Sequence, residues 1–396
     1  MFQNIGRVAL EMYLLFQHHT TLDMLRTVTN DLDLFTVTGH GWHFVKYLGP
    51  AVVVVGPDCR SERNLTRVMA GPTYQGIFPK VAMLPPTVQH CIFMIAVPPL
   101  YPRLEAVESL GNALATGKKA VTSTYNLLGK MTSSVAGVVG GKEAVAQGFT
   151  HVKKAVGKGG LMGSVLNQFG DLDVAEILKD MWTHESKDLE RTYLIRTLQG
   201  IAQQKGVRVT FLSGDVNCCG AASVHDPSRP NDHKTMFQVI TSPIVAQPMS
   251  NYMLRLLHNN KTVYVPKNGT KSAHDVVSDT QEDMVETFGS DSGGQPREFR
   301  KLMGRRNYAV FWPYDPDALA AASANGFPVQ FGMDPAVLLS SVAGGQAMQQ
   351  HMLQQQQQQG LAKLNIAVAF VVQGEAGFAG TTQYGPVVIP ALEFGQ

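Results

Sequence analysis

The sequence predicts a layered α/β or α+β fold, and three observations carry that expectation. Short, continuously apolar runs are closed by glycine or proline: Ala51–Val55 stops at Gly56-Pro57, and His90–Val97 stops at Pro98-Pro99. A long stretch, Leu172–Gln204, repeats its apolar residues at helical steps and gives way to the alternating run Val207–Leu212. The last part of the chain is rich in strand-like runs, at Tyr308–Trp312, Leu364–Val372 and Gly385–Phe394.

Taken in order, Arg7–Leu25 has helical spacing, with Leu10, Leu14, Met24 and Leu25 on or near one face and the polar run Gln17–Thr21 between them. Ala51–Val55 has no polar alternation, which suits a strand buried on both faces. In Leu172–Gln204 the apolar steps are Ile177, Leu178, Met181 and Trp182, then Leu189, Tyr193, Leu194, Leu198 and Ile201, which reads as one or two helices ended by Gly206. Val207–Leu212 runs directly into Ser213-Gly214-Asp215-Val216-Asn217, and Met236–Val245 is a further strand. After about Lys271 the chain is polar and acidic up to Asp291, the pattern of a surface excursion. Gln349–Gln359 holds eight glutamines around His351-Met352-Leu353, cannot build a core, and is read as a disordered loop. The expected organisation is a core in two parts, 1–110 and 166–275, separated by a Lys/Gly/Ala-rich helical insert at 111–165. A polar excursion at 276–306 and a β-rich part at 307–396, with its glutamine loop at 349–359, follow.

Composition narrows the function classes. Lys+Arg 33 against Asp+Glu 31 gives a net charge of +2, so there is no global basic signal and no nucleic-acid partner is expected. The longest apolar runs, Ala51–Val55 and Cys91–Val97, fall far short of the roughly 20 residues that span a bilayer. The four cysteines, Cys59, Cys91, Cys218 and Cys219, have neither metal-site spacing nor the density of a disulfide scaffold, which points to a reducing compartment. Met1–Gly6 lacks the charged start of a signal peptide, so the expectation is a cytoplasmic protein, and the sequons at Asn64, Asn260 and Asn268 read as chance matches.

Gly117–Gly160 stands apart. It carries seven lysines (118, 119, 130, 142, 153, 154 and 158) against the single acid Glu143. Lys119, Lys130, Lys142 and Lys153 are 11, 12 and 11 residues apart, nearly whole helical turns, so a helix would gather them on one face opposite Leu127, Leu128, Val135, Val138, Val145, Phe149 and Val152. Two readings follow: a basic amphipathic helix lying on an anionic membrane surface, or a solvated linker helix weakened by its glycines.

Two strand ends carry candidate chemistry. Asp215, on the loop beyond Val207–Leu212, is a carboxylate held rigidly yet exposed, and Asn217 offers an amide oxygen two residues on, as hard-metal ligands must be placed. The alternative is that both form the turn by accepting backbone N–H groups. Beyond Gly56-Pro57, Asp58-Cys59-Arg60-Ser61-Glu62-Arg63 places two arginines that would grip a phosphate oxygen bidentately, or else form a surface salt-bridge cluster with Glu62. Other matches fail on context. Ser290-Asp291-Ser292-Gly293-Gly294 has no flanking strand pattern, Gly111–Lys118 has one spacer too many and Lys119 where a phosphate loop needs Ser or Thr, and Gly170-Asp171-Leu172-Asp173 reads as a helix cap.

With these residues in hand, the chain resembles the PhoD-like phosphatase family, in particular its long fungal branch. The stretches that carry the resemblance are Ile5–Asp23, Val52–Arg63, Pro79–Leu104 and Trp182–Asn217. The resemblance implies a calcineurin-like metallophosphatase sandwich of two sheets with flanking helices. It also implies divalent metal (Ca, Mn, Fe or Zn) at the strand ends and a phosphomonoester or phosphodiester substrate. By position, Asp58 and Arg60 match the family's strand-end D-x-R, with Arg60 on the substrate, and Asp215 matches the aspartate of its late G-D-x-H as a metal ligand. Asn217 stands where that histidine is usual. Asparagine supplies a neutral oxygen that suits calcium, magnesium or manganese, and it cannot serve as a general acid.

The family's aspartate-rich motifs of the G-D-x-x-x-D and D-D-H-D kind do not occur in the sequence. The expectation is therefore an N-terminally truncated member whose sandwich is incomplete at that end and which does not hydrolyse phosphate esters alone, since hydrolysis needs metal to activate water. The alternative is a non-catalytic, membrane-associated interaction protein on a phosphatase scaffold, peripheral to the membrane through 117–160.

Overall fold

The computed structural model describes residues 2–27, 34–103, 180–258, 263–267, 271–273, 275–324, 363–374 and 380–392. The lysine-rich segment, the phosphate-loop-like and Gly170–Asp173 motifs, and the glutamine tract lie outside the described residues. So does the first part of Leu172–Gln204.

The chain begins with α1 (Phe2–His18) and α2 (Leu22–Thr27), followed by β1 (Leu34–Phe35), β2 (His43–Tyr47), β3 (Val52–Gly56), α3 (Gly71–Ala82) and β4 (His90–Met94). Then come α4 (Asp188–Lys205), β5 (Arg208–Ser213), β6 (Cys219–His225), β7 (Met236–Ile240), α5 (Asn251–His258), β8 (Val263–Tyr264) and β9 (Gln281–Val285). The last elements are β10 (Leu302–Met303), β11 (Asn307–Tyr314), α6 (Pro316–Ala324), β12 (Asn365–Gln373) and β13 (Thr381–Ile389).

Ten strands form one mixed sheet in the order β1-β2-β3-β4-β5-β7-β6-β9-β8, with β10 added beside β6. Strands β3, β4, β5 and β7 are mutually parallel, and the flanking pairs are antiparallel. A second, antiparallel sheet has the order β11-β12-β13. The apolar run Val52–Val55 is buried on both faces as its composition predicts: successive side chains point to opposite sides of a strand. Val53 and Val55 join a core with Tyr74, Ile77, Phe78 and Val81 of α3 and Leu194, Ile195 and Leu198 of α4. Val52 and Val54, with Ile92 and Val239, join a second core with Ile366, Val368, Phe370 and Val372 of β12 and Ile389 of β13. The result is three layers: helices, the large sheet, and the small sheet.

The single helical pattern expected over Arg7–Leu25 is two helices, because His19 turns the backbone to φ 54° at the polar run. Leu14 is fully buried, while Ile5, Val8, Met12, Leu15 and Phe16 lie at the surface. Helix α4 ends where its glycine predicts. Gly206 adopts φ 66°, the left-handed conformation glycine reaches without a Cβ penalty, and its N–H caps the Ala202 carbonyl. The polar stretch after Lys271 is not purely a surface excursion. It contains β9, paired to β6 along Ala221↔Val285 to His225↔Gln281, and its Glu282 pairs with the buried Arg191 of α4. The four cysteines are free and buried, and burial pushes the Cys218 thiol up to about 12. No helix among the described residues is long and apolar enough to cross a membrane.

Candidate functional site

Because β3, β4, β5 and β7 are parallel, their carboxyl ends open on one edge of the large sheet, where loops from separate strands converge. The loop after β3 is fixed by three carboxylates. Asp58 Oδ1 accepts the N–H groups of Arg60 (2.9 Å) and Ser61 (3.0 Å), and its Oδ2 accepts the Trp42 N–H (3.3 Å) and the Ser61 hydroxyl (2.5 Å). Glu62 accepts from the Ala70 N–H (2.8 Å) and the Thr73 hydroxyl, and also binds the Thr38 hydroxyl. Glu190 of α4 accepts the N–H groups of Val68 (2.8 Å) and Met69 (2.9 Å) and the Tyr74 hydroxyl. Partial burial works to raise the Asp58 carboxyl, but the hydrogen bonds from Ser61, Arg60 and Trp42 outweigh it and hold the group below the usual carboxylate range.

Glu62 therefore does not pair with the arginines. They turn elsewhere. Arg60 reaches across to β5's loop, its Nη2 lying 2.6 Å from Asp215 Oδ1, while its Nη1 lies 3.1 Å from Asp180 Oδ2. Arg63 Nε lies 2.5 Å from the other oxygen of Asp180. The strand-end positions read from the sequence, Arg60 and Asp215, are thus brought together, 155 residues apart in the chain. Asp58 sits at the same edge with both oxygens engaged in its own loop. Asp180 has no local sequence pattern that marks it as part of the site, because its partners are 117 and 120 positions away.

The loop after β5 crosses the end of β7. Gly214 N–H donates to the Ala96 carbonyl (3.1 Å), Asn217 N–H to Ser242 Oγ (3.1 Å), and Asn217's carbonyl accepts the Met249 N–H (2.7 Å). Asp215 and Asn217 both hold left-handed backbone, φ 68° and 53°, which turns the chain sharply and projects the Asp215 carboxylate toward Arg60. His43, at the start of β2, is buried and accepts the Asp58 N–H on Nδ1 (2.9 Å), which places its own proton on Nε2. Burial lowers its pKa despite the opposing charges of Asp58 and Glu62.

The donors do not by themselves make a metal cage. Asp58 is saturated by its loop, Asp215 faces a guanidinium, and no three His, Cys, Asp or Glu side chains converge among the described residues. A cavity of about 500 Å³, lined in part by Arg255, Arg297, Glu298 and Arg305, lies beside α5, where Gly304 packs against the Met249 carbonyl. It is the weaker site, since Arg297 is already bound to the carbonyls of Phe299 and Leu302.

The sequence model of the family described as PhoD related phosphatase matches residues 1–396. The chain is 25% identical over 353 residues to the uncharacterized protein YGR266W of Saccharomyces cerevisiae, covering 79% of this chain and 44% of that one. It thus spans less than half the length of this relative. No solved structure matches the chain.

Proposed function

Since the chain belongs to the PhoD-related phosphatase family, we propose that its strand-end site binds the phosphate group of a phosphate ester and that the chain by itself does not complete the hydrolysis. The family implies phosphate-ester substrates and, in general, metal dependence, which here means a divalent cation of the Ca, Mn, Fe or Zn group. The observation that carries the reading is the position of Arg60. Its guanidinium sits half-exposed at the carboxyl end of a buried parallel strand, 2.6 Å from Asp215. A planar fork of donors on a rigid loop is what a tetrahedral oxyanion requires, and the three carboxylates that fix residues 57–70 hold that fork in place.

A metal bound here would draw on Asp215, which would first have to give up its contact with Arg60, and on Asn217 two residues along the same turn. Water activation in this chemistry is the metal's contribution. What the described residues supply is binding and orientation: Arg60 on a phosphate oxygen, Asp215 orienting Arg60, and the Asp58 turn fixing the Arg60 backbone. The two-layer sheet arrangement supports a metallophosphatase-type sandwich.

The test is an assay of the 396-residue chain against phosphomonoesters and phosphodiesters with Ca²⁺, Mn²⁺, Zn²⁺ or Fe²⁺, alongside calorimetric titration with inorganic phosphate. Phosphate binding that disappears in Arg60→Ala, without turnover above background, is expected. Robust turnover abolished by Asp215→Ala would show that the chain carries a full hydrolytic centre and overturn the inactivity.

A further inference from the structure

We propose that Arg60 and Arg63 form a two-guanidinium clamp for a phosphate-type dianion, and that Asp180 is a built-in competitor which occupies the clamp until the anion displaces it. This rests on reading the strand end as a phosphate-ester site, and goes beyond it by assigning Arg63 and Asp180.

Three observations carry it. Asp180 divides its carboxylate between the two arginines, Oδ2 at 3.1 Å from Arg60 Nη1 and Oδ1 at 2.5 Å from Arg63 Nε, the posture a bound oxyanion would take. Arg63 is left short of acceptors: its side chain is only 7% exposed, yet Nη1 and Nη2 are buried with no hydrogen-bond partner among the described residues. A guanidinium carries five N–H donors and stays charged, so buried donors without acceptors are costly. Lys187 adds a further cation close by. It is 1% exposed, its Nζ donates to the Leu65 carbonyl at 3.3 Å, and burial and then the nearby Arg63 charge both work to lower its pKa.

Arg60, Arg63 and Lys187 thus gather around Asp180, a carboxylate that is itself 45% exposed. Glu190 also stands near Lys187, but its oxygens are taken by the backbone of Val68 and Met69 and by Tyr74. A phosphate dianion brings more oxygens and one more charge than the carboxylate it replaces, and so supplies acceptors that Asp180 cannot. The clamp itself does not have to be built on binding, because residues 57–70 are already stapled by Asp58, Glu62 and Glu190. Asp180, half in solvent, is the part free to leave.

The experiment is calorimetric titration of the full chain with inorganic phosphate and, separately, sulfate, in wild type, Asp180→Asn, Arg63→Lys and Glu185→Gln. Asp180→Asn, which removes the competitor from a half-exposed position, should bind phosphate about tenfold more tightly than wild type. Arg63→Lys keeps the charge but loses the fork, and should bind about tenfold more weakly. Glu185, whose carboxylate contacts Lys271, removes a nearby charge without freeing a guanidinium, so Glu185→Gln should match wild type. If wild type binds phosphate but Asp180→Asn binds no more tightly, or Glu185→Gln tightens binding equally, Asp180 is not a competitor and the strand-end reading survives without it. If no variant, Asp180→Asn included, binds phosphate or sulfate, the phosphate site itself fails and the clamp with it.

Discussion

At the scale of single residues, the loop after β5 combines chemistry with backbone strain. Asp215 and Asn217 hold φ 68° and 53°, a region that costs an ordinary L-residue about 1 kcal/mol or more and glycine almost nothing. Asp215→Ala and Asp215→Gly both delete the carboxylate opposite Arg60, but only the glycine also relieves the backbone. We expect Asp215→Gly to be more stable than Asp215→Ala by about 1 kcal/mol in urea unfolding, with phosphate affinity lowered alike in both; equal stabilities would mean the turn is unstrained. Arg60 and Asp215 were legible in the sequence because each follows a buried strand, and the parallel order of β3 and β5 places both loops on one edge. The Asp180 contact was not legible, since nothing local ties it to Arg60 or Arg63. Nor did sequence reveal that Glu62, beside both arginines in the chain, would turn away to Thr38, Thr73 and the Ala70 N–H.

Among the elements, those with a uniform apolar signal were read closely: Val52–Gly56, His90–Met94, Arg208–Ser213 and Asn365–Gln373 fall within a few residues of the runs that predict them. Those missed have a mixed signal. Helix α3 contains two glycines and two prolines, although Tyr74, Ile77, Phe78 and Val81 keep helical spacing. Strand β9 is polar because Glu282 has the buried Arg191 as its partner across the helix layer. Strand β4 makes its own prediction. His90 is fully buried, its Nε2 donates to the Leu364 carbonyl at 2.6 Å, and its Nδ1 has no partner among the described residues to accept a second proton. Burial, with Arg208 adding to it, lowers its pKa to about 4, while the Leu364 bond opposes that shift.

The unfolded chain, with histidine near 6.5, binds that proton more readily, so stability is fully present above about pH 6.5 and is lost as pH falls toward 4. The loss is on the order of 3 kcal/mol at most, measured as the urea midpoint against pH. His90→Gln should flatten this slope, and an unchanged slope would assign it to other histidines such as His43, which shifts the same way. The depressed carboxylates Asp58 and Glu62 act in a separate window, contributing above their ordinary values and losing that contribution only at more acidic pH.

For the whole molecule, the layered α+β class followed from the apolar runs, whereas two facing sheets were expected only through the family resemblance, because pairing between layers leaves no local periodicity. What joins them is long range. Leu364 N–H donates to Gln89 Oε1 at 2.8 Å across 275 positions, and Arg208 Nε donates to the Pro390 carbonyl across 182. The small sheet covers Val52, Val54, Ile92 and Val239 on the outer face of the large one. A chain ended at residue 360 should therefore bind an apolar reporter dye and aggregate while the full chain does neither, as read by dye fluorescence and light scattering; a dye-silent, monomeric truncation would mean the small sheet is dispensable.

The same covering strand has a consequence in the timing of synthesis. At the usual pace of about 5–20 residues per second, the partner of Gln89 leaves the ribosome on the order of tens of seconds after β4 does. Through that interval a nascent chain carries the core beneath the small sheet uncovered. Its yield in a cell is then set by how well that face is shielded by chaperones during translation, and slowing elongation between residues 90 and 364 should lower the soluble fraction even though the finished protein is unaltered.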